Sequence, residues 1–130
     1  MATILAADDE PSIIRLIQVT LEREGHTVLT AADGREALAV VAQERPDLIV
    51  LDVMMPHVDG FEALRQLKEN ADTAAIPVIL LSAKRHDNDL FRGLQFGAVS
   101  YLTKPFNPKE LIAVVSQILP AKDSPPPAPP

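Results

Sequence analysis

The sequence of 130 residues contains no cysteine. Disulfide staples, thiolate metal sites and cysteine nucleophiles are thereby excluded. No apolar run in it approaches the roughly 20 residues needed to cross a bilayer, so no membrane contact is expected. The start has no basic n-region. Its short apolar stretch, Thr3–Ala7, runs straight into Asp8, Asp9 and Glu10, which reads as neither a signal nor a transit peptide. A cytoplasmic location is expected. Basic residues are few and scattered, 12 Lys and Arg against 18 Asp and Glu, for a formal net charge of −6. A phosphate backbone is bound chiefly by clustered Lys and Arg, so direct nucleic-acid binding by this chain is not expected. The acid surplus is read as serving solubility, apart from acids that fall at strand ends.

What the chain does have is an apolar fraction of 47 %, enough for one globular domain with a single core. Five short apolar runs, at 3–7, 27–31, 48–51, 77–81 and 99–102, alternate with longer segments of helical character. Apolar runs without polar alternation mark strands buried on both faces, as in a parallel sheet. Ile13, Leu16, Ile17 and Leu21 fall on one helical face, and Leu111, Val115, Ile118 and Leu119 on another. Asp33 with Glu36, Asp59 with Glu62 and Asn107 with Glu110 each place a cap residue three positions before a Glu. Pro108 then occupies a first helical position, where its missing N–H is harmless. Gly25 and Gly97 suit helix ends. The segment 84–96 has the weakest helical pattern, with Gly93 inside it, and is expected to be the most mobile.

A β–α alternation repeated five times predicts a doubly wound α/β sandwich around a five-stranded parallel sheet. The pattern stops after Leu119, and six of the twelve prolines lie from Pro120 onwards. Residues 1–120 are therefore read as one domain. Residues 121–130 are read as an extended or disordered tail or linker, with a ligand for a proline-binding partner as the lesser alternative.

In doubly wound sheets the site lies beyond the carboxyl ends of the strands, where the strand order switches. With the usual order 2-1-3-4-5, that edge collects Asp8 and Asp9 from strand one, Asp52 from strand three, Ser82 from strand four and Lys104 from strand five. Three carboxylates in a small site repel unless a cation neutralises them. Mg²⁺ suits such hard oxygen ligands and leaves room for a phosphoryl oxygen. Lys104 would add a second positive charge, Ser82 a hydrogen bond, and Asp52 the nucleophile of an in-line phosphoryl transfer. Each residue alone has a plainer reading: Asp8 or Asp9 as a helix cap before Pro11, Asp52 as a turn residue, Lys104 as a loop residue. His26, His57 and His86 lack ligand spacing and are read as surface residues. The joint pattern decides for the site.

At these residues the sequence closely resembles the receiver domains of two-component response regulators, the CheY-like superfamily. The segments that carry the likeness are Ile4-Leu-Ala-Ala-Asp-Asp-Glu-Pro11, Pro46-Asp-Leu-Ile-Val-Leu-Asp-Val-Met-Met-Pro56, Asp59-Gly60, Val78-Ile-Leu-Leu-Ser-Ala83 and Gly97-Ala-Val-Ser-Tyr-Leu-Thr-Lys-Pro-Phe106. The resemblance implies a flavodoxin-like fold and a phosphoacceptor, Asp52, forming an aspartylphosphate. It implies Mg²⁺ held directly by Asp9, Asp52 and the backbone carbonyl of Met54, and through water by Asp8. Lys104, Ser82 and the backbone of Ala83 would contact the phosphoryl group, and the Lys104–Pro105 bond would be cis. Ser82 and Tyr101 would form the switch pair, and Met54 and Lys84 would tune phosphoryl lifetime.

The implied donor is a sensor histidine kinase or histidine phosphotransfer protein. The implied output surface comprises the fourth helical segment, the fifth strand and the fifth helical segment, serving an output domain, an effector protein or a homodimer. Such a chain is a phosphoacceptor that promotes its own phosphotransfer and dephosphorylation, not an enzyme in the ordinary sense. Departures are small: Ala6-Ala7 precedes the acidic pair, and Ser82 stands where Thr is commoner.

A phosphatase of the haloacid-dehalogenase type would need a second Asp two residues after the nucleophile, and that position is Met54. A flavin mononucleotide binder would need a Ser/Thr/Gly-rich loop where this chain has Asp-Asp-Glu. The sequence has neither a P-loop nor a kinase glycine loop, so ATP is not the expected direct donor. The remaining alternative is an interaction module that keeps the receiver fold and works without phosphorylation.

Overall fold

The computed structural model describes residues 2–55, 57–83 and 97–119. The elements run β1 (Thr3–Ala7), α1 (Pro11–Arg23), β2 (Thr27–Ala31), α2 (Gly34–Glu44), β3 (Leu48–Asp52), α3 (Gly60–Glu69), β4 (Val78–Ala83), β5 (Ser100–Lys104) and α4 (Pro108–Ile118). Helix α4 is the fifth helical segment of the sequence. The fourth, at 84–96 with His86 and Lys84, lies outside the described residues, as does the tail from Pro120.

All five strands pair in parallel in the order β2-β1-β3-β4-β5. The doubly wound α/β architecture is therefore present as the β–α alternation requires. The inner strands β1, β3 and β4 lack polar alternation because both of their faces are covered. Leu5 and Ala7 of β1, Ile49 and Leu51 of β3, and Val78 and Leu80 of β4 pack with Ala37 and Val41 of α2 and Phe61 and Leu64 of α3. Ile4 and Ala6, Leu48 and Val50, Ile79 and Leu81, and Leu102 of β5 pack on the other side with Ile17 and Leu21 of α1 and Leu111 and Val115 of α4. A strand's period of two thus divides one sheet between two apolar layers.

Three of the described helices start at side-chain caps. Asp33 accepts the Glu36 N–H at 2.8 Å and Asp59 accepts the Glu62 N–H at 2.9 Å. Asn107 and Glu110 complete a reciprocal capping box. Gly25 takes a φ of 91° after α1 and Gly97 a φ of 103° before β5, the left-handed region that glycine enters without steric cost.

Three strands end later than their apolar runs. β3 reaches Asp52 rather than Leu51, β4 reaches Ala83 rather than Leu81, and β5 reaches Lys104 rather than Leu102. The ladder continues through the polar residues: Asp52 lies opposite Leu81, and Ala83 opposite Lys104. Two of these strands also begin one residue later than predicted, at Val78 and Ser100.

Candidate functional site

β1 lies between β2 and β3 in the strand order, and the chain leaves it toward β2 on one side and returns at β3 on the other. The crevice at the carboxyl ends of β1 and β3 is therefore the switch point. Parity fills it. Asp8 continues the Ile4–Ala6 face of β1, Asp52 the Leu48–Val50 face of β3, and Lys104 the Leu102 face of β5, so all three belong to the side covered by α1 and α4. Ser82 has the opposite parity, that of Val78 and Leu80. Asp8, Asp52 and Ser82 are all buried, with 1 %, 4 % and 2 % exposure.

The Lys104 ammonium lies 2.7 Å from Asp8 Oδ2, 3.4 Å from Asp52 Oδ2 and 3.6 Å from Glu10 Oε1. Asp8 Oδ1 accepts the Glu10 N–H at 2.9 Å. Asp8 Oδ2 is buried and accepts no hydrogen bond of regular geometry, so its contact with Lys104 is an ion pair. Asp52 accepts a hydrogen bond from the Met54 backbone N–H. Burial, reinforced by the neighbouring Asp8 charge, pushes the Asp52 carboxyl up to about 7 against the opposing pull of Lys104. For Lys104, burial opposes the charge, but Asp8, Asp52 and Glu10 outweigh it and hold the ammonium above its ordinary range.

The electrostatics leave room for another cation. Two buried carboxylates face one ammonium, and the carboxylates of Asp8, Asp9 and Glu10 come within 4.8 Å of one another. Hard oxygen donors on two buried carboxylates that share a single ammonium suit Mg²⁺. The loop after β3 completes the wall. A Cβ on Gly60 would come within 2.2 Å of the Asp52 carbonyl oxygen, so only glycine lets α3 begin against the end of β3. Beyond it, Asp9, Met54, Met55 and Asp59 line a cleft of about 480 Å³.

The predicted residues divide as follows. Asp8, Asp52 and Lys104 come together, with Asp9 exposed at the rim. Ser82 and the Ala83 backbone end the adjoining β4, and the Lys104–Pro105 bond is cis. Met54 and Tyr101 are exposed by 62 % and 42 %. Glu10 was not among the predicted site residues. It stands at the N-cap of α1, yet its side chain makes no cap hydrogen bond and turns toward Lys104 instead. Neither Asp8 nor Asp9 is the cap residue. The signal for Glu10 was its place as the third consecutive acid before Pro11. His26 also departs from its reading as a surface residue: it is half-buried, and its Nδ1 accepts the Ala2 N–H at 3.2 Å. His57 is exposed.

The family model of the response regulator receiver domain matches residues 4–116. The chain belongs to this family. Receivers are signalling switches that work between histidine kinases and output domains, and they generally hold Mg²⁺ in an acidic pocket. The receiver is 49 % identical over 116 residues to the alkaline phosphatase synthesis transcriptional regulatory protein PhoP of Bacillus subtilis, covering 89 % of this chain and 48 % of that one. It is 40 % identical over 119 residues to PilH of Pseudomonas aeruginosa, covering 92 % of this chain and 98 % of that one. It thus spans about half of one relative and nearly all of another. Among solved structures, the chemotaxis protein CheY4 of Vibrio cholerae matches with a TM-score of 0.86 and 38 % identity, over 92 % of this chain and 99 % of that one. Among the described residues, no helix is long and apolar enough to cross a membrane.

Proposed function

We propose that this receiver accepts a phosphoryl group on Asp52 from a phosphohistidine on a sensor kinase or phosphotransfer protein. The observation that carries the reading is the placement of Asp52: buried, beside a second buried carboxylate, and within 3.4 Å of the Lys104 ammonium. A buried carboxylate that costs energy to ionise becomes an acyl phosphate, a mixed anhydride whose charge is spread over phosphoryl oxygens facing a cation. In the transfer, an Asp52 oxygen bonds to phosphorus while the P–N bond breaks and its electron pair returns to the imidazole. Asp9, Asp52 and the Met54 carbonyl would hold Mg²⁺, with Asp8 acting through water. The ion supplies charge neutralisation for the phosphoryl oxygens. Lys104 pairs with one of those oxygens, and Ser82 and the Ala83 backbone take others.

The same reading extends to the output. Tyr101 is exposed in the unphosphorylated chain, which supports a switch in which Ser82 moves to the phosphoryl group and Tyr101 packs inward behind it. The responding surface is segment 84–96, β5 and α4, which would meet an output domain, an effector or a second copy. Met54 and Lys84 would be the lifetime-tuning positions. Residues 1–120 form the working unit, in the cytoplasm.

The test is intact-mass spectrometry after incubation with a small phosphodonor, with and without Mg²⁺, on the wild type and Asp52→Asn. The expected result is a Mg²⁺-dependent gain of one phosphoryl group that the variant lacks. No gain by the wild type, with Mg²⁺ binding shown by calorimetry, would instead indicate a module acting through its fold alone.

A further inference from the structure

We propose that Met54 is an oxidant-sensitive modification site whose sulfoxide shortens the life of the phosphoryl group on Asp52. This rests on the phosphoacceptor reading above and adds a chemical input to it. Among the described residues Met54 is the most exposed large apolar side chain, whereas its neighbour Met55 is 8 % exposed and packed in the core beneath α2 and α3. The exposed thioether is at the lip of the site. Its backbone N–H is hydrogen-bonded to the Asp52 carboxylate, and it lines a cleft with Asp9, Asp59 and the largely buried Met55. Met54 is thus the exposed apolar part of a rim that also carries these two acids.

The reagent is a two-electron oxidant such as hydrogen peroxide. A lone pair on Met54 Sδ attacks one peroxide oxygen, the O–O bond breaks, and the other oxygen leaves as water after proton transfer. Sulfur is oxidised and the peroxide reduced, with no further co-reactant. The product exchanges a weak acceptor for a strongly polar S=O that binds water. Water anchored in the cleft stands beside the phosphorus it must attack for hydrolysis, so the apolar cover becomes a water-binding rim. The backbone carbonyl and N–H of Met54 are chemically untouched.

The experiment treats the full chain with a mild dose of peroxide and maps sulfoxide by tandem mass spectrometry, whose fragment ions separate Met54 from Met55. Phosphoryl half-life and Mg²⁺ affinity by calorimetry are then measured before and after treatment, for wild type, Met54→Leu and Met54→Gln. The expected result has several parts. Met54 oxidises well before Met55, and the phosphoryl half-life falls at least about two-fold while Mg²⁺ affinity holds. Methionine sulfoxide reductase restores the half-life. Met54→Leu keeps its own half-life through treatment, and Met54→Gln, polar without oxidation, loses phosphoryl faster than Met54→Leu. Equal oxidation of Met54 and Met55 in folded protein, an unchanged half-life, or a fall that persists in Met54→Leu overturns the proposal. If untreated protein takes up no phosphoryl group, the phosphoacceptor reading fails first and carries this one with it.

Discussion

Two ion clusters in this receiver are built from the same kinds of side chain and behave in opposite ways. On α3, Arg65 bridges Glu62 and Glu69, donating to Glu62 Oε2 and to both Glu69 oxygens at 2.8 Å. All three side chains are 40–63 % exposed, so water shares the solvation of every charge. At the sheet edge, Lys104 meets Asp8 and Asp52, whose side chains are 0 % and 6 % exposed. In the exposed cluster the guanidinium satisfies both acids, and hydrogen bonds from Arg65 and Gln66 draw the Glu62 carboxyl down to about 2. In the buried cluster one ammonium cannot neutralise two desolvated carboxylates, and Asp52 is pushed up to about 7. Good geometry makes the first cluster nearly inert. Shortage of positive charge makes the second reactive, because a divalent ion or a phosphoryl group relieves it.

The comparison breaks most visibly if the ammonium is removed. Lys104→Met leaves two buried carboxylates with no cation among the described residues near them. Breaking a buried pair costs about 3–5 kcal/mol when the remaining charge stays buried and unpaired. The variant is expected to lose stability toward that range in urea unfolding at pH 8 with chelator, and to recover part of it when Mg²⁺ is added. A loss no larger than that of an exposed lysine would mean that water already reaches Asp8 and Asp52.

The next largest effect has the opposite sign. Asp52→Asn removes one of the two repelling charges and is expected to stabilise the metal-free protein at pH 8. The ceiling follows from the rise of Asp52 from 3.8 to about 7, equivalent to about 4 kcal/mol. The same rise sets the pH dependence. Between these two values the folded chain keeps a proton that the unfolded chain has released, so stability falls as pH climbs from about 4 to 7 and levels off above. Wild type in chelator should show that downward slope, with Asp52→Asn and Mg²⁺-loaded wild type flatter. A flat profile for the metal-free wild type would show that Lys104 already satisfies both acids.

The buried cluster is readable in the sequence, whereas the part of Glu10 and the setting of His26 are not, for physical reasons. Asp8 and Asp52 each follow an apolar run buried on both faces, and Lys104 stands two residues after buried Leu102, so a period of two carries all three to a common side. The strand ends were placed one or two residues short because polarity changes before pairing does: Asp8 still donates its N–H to the Ala31 carbonyl, and Val53 to Leu81. Glu10 was hidden because cap preferences point to Asp, and nothing local says that a Glu before Pro11 will reach toward a lysine some ninety residues on. His26 was hidden for the same reason, since its partner is the backbone of Ala2, across the start of the sheet.

The smallest effect sharpens the comparison from its other side. Arg65→Ala removes the cation that serves both Glu62 and Glu69, the formal equivalent of Lys104→Met. Yet Glu62 keeps its place in the first turn of α3, where the helix dipole favours an acid, and both carboxylates remain in water. The expected shift in melting temperature is close to the limit of detection, and about 0.5 M salt should erase it, because exposed charges are screened over a few ångströms at that strength. Salt should leave most of the Lys104→Met deficit in place, since buried charges are poorly screened. If salt cancelled both deficits alike, burial would not be what separates the two clusters, and the strain assigned to Asp52 would lose its cause.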